Sequence, residues 1–177
     1  MLMSRSAPRP SLPALEHKAK WLSLLLLAVS LHVFEAALPS LGPWFKPGLA
    51  NIATLLALAI LGPSAAAMLA IWRVIVGSFL IGTLLTPTFI ISLAGGVAAA
   101  IAMLTAWRLL PGITLIGVSL IGALAHMTVQ FLTVESLFIH QQALYYLLPP
   151  LLLLSVVTGW VNGGLAAYIV SQLKESD

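Results

Sequence analysis

Seven polar or charged side chains lie inside, or at the edge of, otherwise apolar stretches: His32, Glu35, Lys46, Asn51, Arg73, His126 and Gln130. A charge at mid-bilayer costs roughly 2.5–3.5 kcal/mol on insertion scales, so one that persists faces a partner or a cavity. Arg73 is the sharpest instance, standing near the middle of its apolar run. His32 and Glu35 are three residues apart, and His126 and Gln130 four apart, so each pair shares one helix face. The chemistry on offer is recognition. A guanidinium attracts an anionic or carbonyl group, while the Asn51 and Gln130 amides orient a solute by hydrogen bonds. Structural alternatives stay open beside these roles. Arg73 could serve only to neutralise Glu35, Asn51 and Gln130 to join helices by hydrogen bonds, and His126 to cap a neighbouring helix.

Several reaction chemistries are excluded. The chain has no GxxxxGK[ST] phosphate loop, no HExxH and no G-x-S-x-G. Its single aspartate is the last residue, Asp177, and its glutamates (Glu16, Glu35, Glu135, Glu175) are scattered. Magnesium-dependent handling of a diphosphate needs clustered carboxylates. The expectation is no catalytic residue, no metal and no cofactor. Cysteine is absent, which removes disulfides and thiolate chemistry.

The elements that must position these residues follow from composition. Of 177 residues, 60% are hydrophobic and 7% charged, with a mean hydropathy of +1.08. Soluble domains carry about 25% charged residues. A membrane-crossing helix needs about 20 mostly apolar residues, so the length accommodates several spans and no second globular domain. Residues 1–20 read as a flexible basic tail, and 174–177 as a short C-terminal tail. Six spans are expected, at about 21–38, 48–61, 64–84, 88–109, 113–134 and within 144–173. The second is short enough to be tilted or partly re-entrant. Ser64 is the expected cap of the third, and Pro149–Pro150 mark a kink or a delayed start of the sixth. The first run is too long for a signal-peptide h-region. Trp44, Phe45 and Lys46 suit an outer membrane–water boundary, and Glu135, His140, Tyr145 and Tyr146 a solvated loop and interface belt. Asn162, toward the inner half, reads as packing.

An even number of spans puts both termini on one side. Placing them in the cytoplasm puts Arg5, Arg9, Lys18, Lys20, Arg108 and Lys174 there, six of the eight basic residues, as the positive-inside rule requires. The net charge of +3 therefore reads as topology and not as a nucleic-acid surface. The expected location is the inner (cytoplasmic) membrane of a bacterial cell, with the lipid bilayer as the main partner. His32, Glu35, Lys46, Asn51 and Gln130 then fall in the outer half and outline a polar cavity. Small residues such as Ala65–Ala67, Gly77, Gly95–Gly96, Gly159 and Gly163 supply close helix contacts.

The stretches Lys46–Leu56 (KPGLANIATLL), Trp72–Val74 with Gly77–Ser78, Ser92–Gly96 (SLAGG) and Gly117–His126 (GVSLIGALAH) occur in this order. They resemble the Gx transporter family, also described as heptaprenyl diphosphate synthase component I, from about Trp21 to Leu173. The resemblance implies an all-α six-helix bundle similar to the substrate-binding S components of energy-coupling factor (ECF) transporters. It also implies Asn51, Arg73, Gly95, Gly96 and His126 as motif positions. Such subunits take a small molecule near the outer face and work with separate energising subunits. The Ala-x-x-x-Ala pattern with which S components commonly dock their partner is absent from 21–38. The functional expectation is a non-enzymatic capture subunit of an uptake transporter, for an unidentified solute, vitamin-like or isoprenoid. The alternative is an accessory subunit of prenyl diphosphate or quinone metabolism, or of a membrane redox complex.

Overall fold

The computed structural model describes residues 11–37 and 48–176. Its long elements are α1 (Leu12–Ala37), α2 (Ala50–Ile60), α3 (Pro63–Leu80), α4 (Pro87–Leu109), α5 (Leu115–Leu137) and α6 (Leu148–Ser176), with a 3₁₀ turn at Gln142–Leu147 before α6. Five helices are long and apolar enough to cross a bilayer. The exception is α2, whose 11 residues extend about 16 Å at 1.5 Å each, against a hydrocarbon core of about 30 Å. Six α-helices are therefore present among the described residues, five of them of spanning length, and the second, expected to be short, is the short, central one. Gly62 at φ 92 and Pro63 stop it, because neither a left-handed residue nor a proline ring continues a helix.

Helix starts show how local chemistry sets the boundaries. Thr86 caps α4 by accepting the Phe89 N–H, and Thr114 caps α5 by accepting the Gly117 N–H. Ser64 does not cap α3, which begins at Pro63 behind Gly62 with no side-chain cap. The proline already supplies the fixed φ of a first turn and lacks the N–H that a serine would satisfy. α1 begins at Leu12 and not near Trp21, so residues 12–20 of the expected tail are helical. Pro13 is tolerated in a first turn, and Leu-Glu-Lys-Ala composition carries the helix onward. At the other end, Pro149 and Pro150 fall in the first turn of α6, which makes them a delayed start.

α2 is the axis of the bundle. Ala50 through Leu58 are all buried, as expected of a helix apolar all round. It packs against α1, α3, α5 and α6. Around it, α1 meets α3, α3 meets α4, α4 meets α5 and α5 meets α6, while α1 and α6 hardly touch. The closest crossing is α5 on α6. A Cβ at Gly163 would stand 2.6 Å from Ile116 Cα, and one at Gly159 2.9 Å from the Ala123 Cβ. Without a hydrophobic drive in lipid, such close approach provides the packing.

Exposure is inverted relative to a water-soluble fold. Phe79, Leu153, Trp160 and Tyr168 are each more than half exposed, whereas His32, Glu35, Asn51, Arg73 and Gln130 are buried. Apolar outside and polar inside is the arrangement lipid selects.

Candidate functional site

The first turn of α2 is the anchor of the site, and three other helices hold it. Glu35 of α1 accepts a hydrogen bond from the Leu49 N–H. Asn162 of α6 donates to the Gly48 carbonyl at 3.1 Å. Arg73 of α3 donates through Nη2 to Asn51 Oδ1 at 2.6 Å. Gly48 has φ 69, and its left-handed turn delivers the chain to the helix start. Carboxylate placement at Glu35 is favourable twice over. The amides of a helix N-terminus attract negative charge, and Glu35 is also the residue whose charge acts on Arg73.

Glycines make the space for the larger side chains. A Cβ at Gly77 would lie 2.4 Å from His32 Cδ2, and one at Gly95 2.5 Å from Gln130 Cγ and 3.1 Å from His126. Both positions lie on faces already carrying polar groups, since Gly77 is one turn beyond Arg73 and Gly95 three residues beyond Ser92.

The result is a cavity lined by His32, Glu35, Gly48, Asn51, Arg73, Val74, Ser92, His126 and Gln130. Its volume is about 20 Å³, room for roughly one water. Arg73 is 4% exposed and Gln130 2%. At this cavity, Arg73 Nε and Gln130 Oε1 have no hydrogen-bond partner among the described residues. Leaving one such buried group unsatisfied costs about 1–3 kcal/mol. A smaller space of about 10 Å³ adjoins it, between Gly48, Asn51 and His126 on one side and Ser119, Ser155, Thr158 and Asn162 on the other. Polar lining thus runs from α1 across α2 to α6.

Six of the seven sequence-predicted residues line the first cavity; Lys46 lies outside the described residues. Asn162, expected as inner packing, touches the start of α2 and lines the adjoining space. Gly48, Val74 and Ser92 are lining residues that charge and spacing did not single out. Serine is commonplace in an apolar helix, and Val74 is indistinguishable from any lipid-facing valine. Only their places within motifs, Gly48 in KPGLAN, Val74 in WRV and Ser92 in SLAGG, offered a signal.

Fold and site together define a multi-pass helical membrane protein with a buried polar cluster at the start of its central helix. A model of the family described as heptaprenyl diphosphate synthase component I matches residues 24–169. The chain belongs to that family. No curated protein matches, and no solved structure matches.

Proposed function

We propose that the chain is a non-catalytic, S-component-like binding subunit of a small-molecule uptake system, and that the cluster around Arg73 is its solute site. The observation that carries this reading is the pairing of burial with unmet capacity. Arg73 Nε offers a donor and Gln130 Oε1 an acceptor at the same small cavity. A solute with an anionic or carbonyl oxygen would meet the first, and one with an N–H or O–H the second. His32, Glu35, Asn51 and His126 would complete the shell. At about 20 Å³ the cavity has room for roughly one water, so capture requires the first turn of α2 to move away from Glu35, Arg73 and Asn162. In this reading both termini are cytoplasmic, the site opens toward the outside, and energising subunits drive transport.

A second reading draws on the family's description, which names one component of a heptaprenyl diphosphate synthase. The chain would then hold an isoprenoid in the membrane for a soluble enzyme. Its scattered glutamates make it the binding partner and not the catalyst in that case too.

Mass spectrometry of small molecules released from the gently purified protein tests both. A water-soluble metabolite present in the wild type, and lost in Arg73→Ala and in the near-isosteric Gln130→Met, supports uptake. An isoprenoid lost in the same variants supports the second reading. A metabolite that both variants retain would remove the cluster from the site.

A further inference from the structure

A cavity far larger than the one at the polar cluster is also present. It lies at the opposite end of the bundle, where α2 stops short between two longer helices. Ala19, Lys20, Ser23 and Leu24 of α1 form one wall, Ala59 and Ile60 of α2 the roof, and Val170, Leu173 and Lys174 of α6 the other wall. The volume is about 610 Å³, within the range that holds sizeable ligands. The cause is topological: α1 and α6 hardly touch, and the central helix that separates them ends at Ile60.

We infer that this cleft binds one anionic phospholipid of the surrounding bilayer, its phosphate between Lys20 and Lys174 and its acyl chains along Leu24, Ile60, Val170 and Leu173. The chemistry is divided as an amphiphile requires. Apolar side chains and Ala59 make the deep part, and the two ammonium groups stand at the rim, both exposed. Lys174 sits in the last turn of α6, and Lys20 lies two turns inside α1, just before its long apolar stretch, so the stem of each reaches the headgroup level. Basic pockets between membrane helices recognise acidic headgroups in this way. The acidic residues nearby, Glu16 one turn before Lys20 and Glu175 next to Lys174, stand outside the cleft. Glu175 is held by Gln172 on its own helix at 3.4 Å. The site is independent of whatever the polar cluster binds.

A comparison is built into the same end of the molecule. A shallower hollow of about 340 Å³ between Ile101, Leu104, Thr105, Arg108 and Leu109 carries a single cation and only α4 residues. Arg108 therefore reports general surface attraction without a cleft.

The test is native mass spectrometry of the full chain in detergent, titrated with dioleoylphosphatidylglycerol or dioleoylphosphatidylcholine. The wild type should take up one phosphatidylglycerol in preference to phosphatidylcholine. Two surface lysines correspond to about a thirtyfold preference. Lys20→Gln with Lys174→Gln should abolish it, and the two arginine replacements should keep it. Ala59→Trp fills the cleft with both charges intact and should also lose the bound lipid, while Arg108→Gln should retain it. Preference surviving in either the lysine double variant or Ala59→Trp would overturn the site. So would an equal loss in Arg108→Gln, which would make the effect one of net charge.

Discussion

Arg73 meets Asn51 over 2.6 Å, and both side chains are buried. Glu35, anchored at the Leu49 amide, is the acidic residue that lines the same cavity. Removing one member of such a set strands the other, and breaking a buried pair in this way costs about 3–5 kcal/mol. Arg73→Met should therefore lower thermal stability in detergent by that order. Arg73→Met combined with Glu35→Gln should recover part of it, because a neutral amide still accepts the Leu49 N–H without carrying an orphan charge. A double variant as unstable as the sum of the two single changes would mean that Glu35 and Arg73 are not coupled. Gly95→Ala should cost about 1–3 kcal/mol, since the new methyl would meet Gln130 Cγ at 2.5 Å; a melting curve indistinguishable from wild type would show that Gln130 has room to move. These residues were legible in the sequence for one reason. A charge or an amide in an apolar run is conspicuous, and helical spacing then assigns its face. Which helix would supply the partner was not legible: no spacing rule connects Asn51 to Arg73, or Asn162 to Gly48.

At the scale of elements, the positions of the long helices were readable because apolar length dominates them. Their starts depended on chemistry that composition hides. Thr86 and Thr114 cap through one hydroxyl each, whereas Ser64, the more obvious candidate, stands behind a proline that makes a cap redundant. α1 extends back to Leu12 because a proline in a first turn does not prevent a helix. Small residues were readable as packing sites but not as pairs. Gly163 lies against the backbone of Ile116, while at the adjacent Gly164 nothing stands within 4 Å of where a methyl would go. Gly163→Ala should force α5 and α6 apart and cost about 1–3 kcal/mol. Gly164→Ala, one residue away, should change stability by no more than about 0.5 kcal/mol. Thermal unfolding of the two variants side by side checks this, and equal losses would show that glycine flexibility, not the crossing, is what α6 requires.

The molecule as a whole has a basic end and a polar cluster set away from it. Lys20 and Lys174 line the same cleft, so the start of α1 and the end of α6 lie on one side. Arg108 belongs to that side as well, because Met103 and Leu104, one turn before it, pack with Leu58 near the end of α2. Under the positive-inside rule, an end at which the described basic residues outside the core gather is expected to face the cytoplasm. The shortness of α2 makes this orientation worth measuring, since an 11-residue helix does not by itself guarantee a crossing. Contact geometry argues that the chain nevertheless changes sides along it. The turn that opens it bonds Glu35, near the end of α1, and its last residues line a cleft with Ala19 and Lys20, near the start. The absence of native cysteine allows a direct check in intact cells. Single cysteines at Gln141, between α5 and the 3₁₀ turn, should react with a membrane-impermeant maleimide added outside. Those at Leu110, after α4, and at Ser171, in the last turns of α6, should react only after the membrane is opened. Labelling of Leu110→Cys and Gln141→Cys from the same side would break the alternation of α4 and α5. Labelling of both Leu110→Cys and Ser171→Cys from outside, with Gln141→Cys protected, would invert the molecule and place the polar cluster nearer the cytoplasm, where a role in uptake from the exterior could not stand.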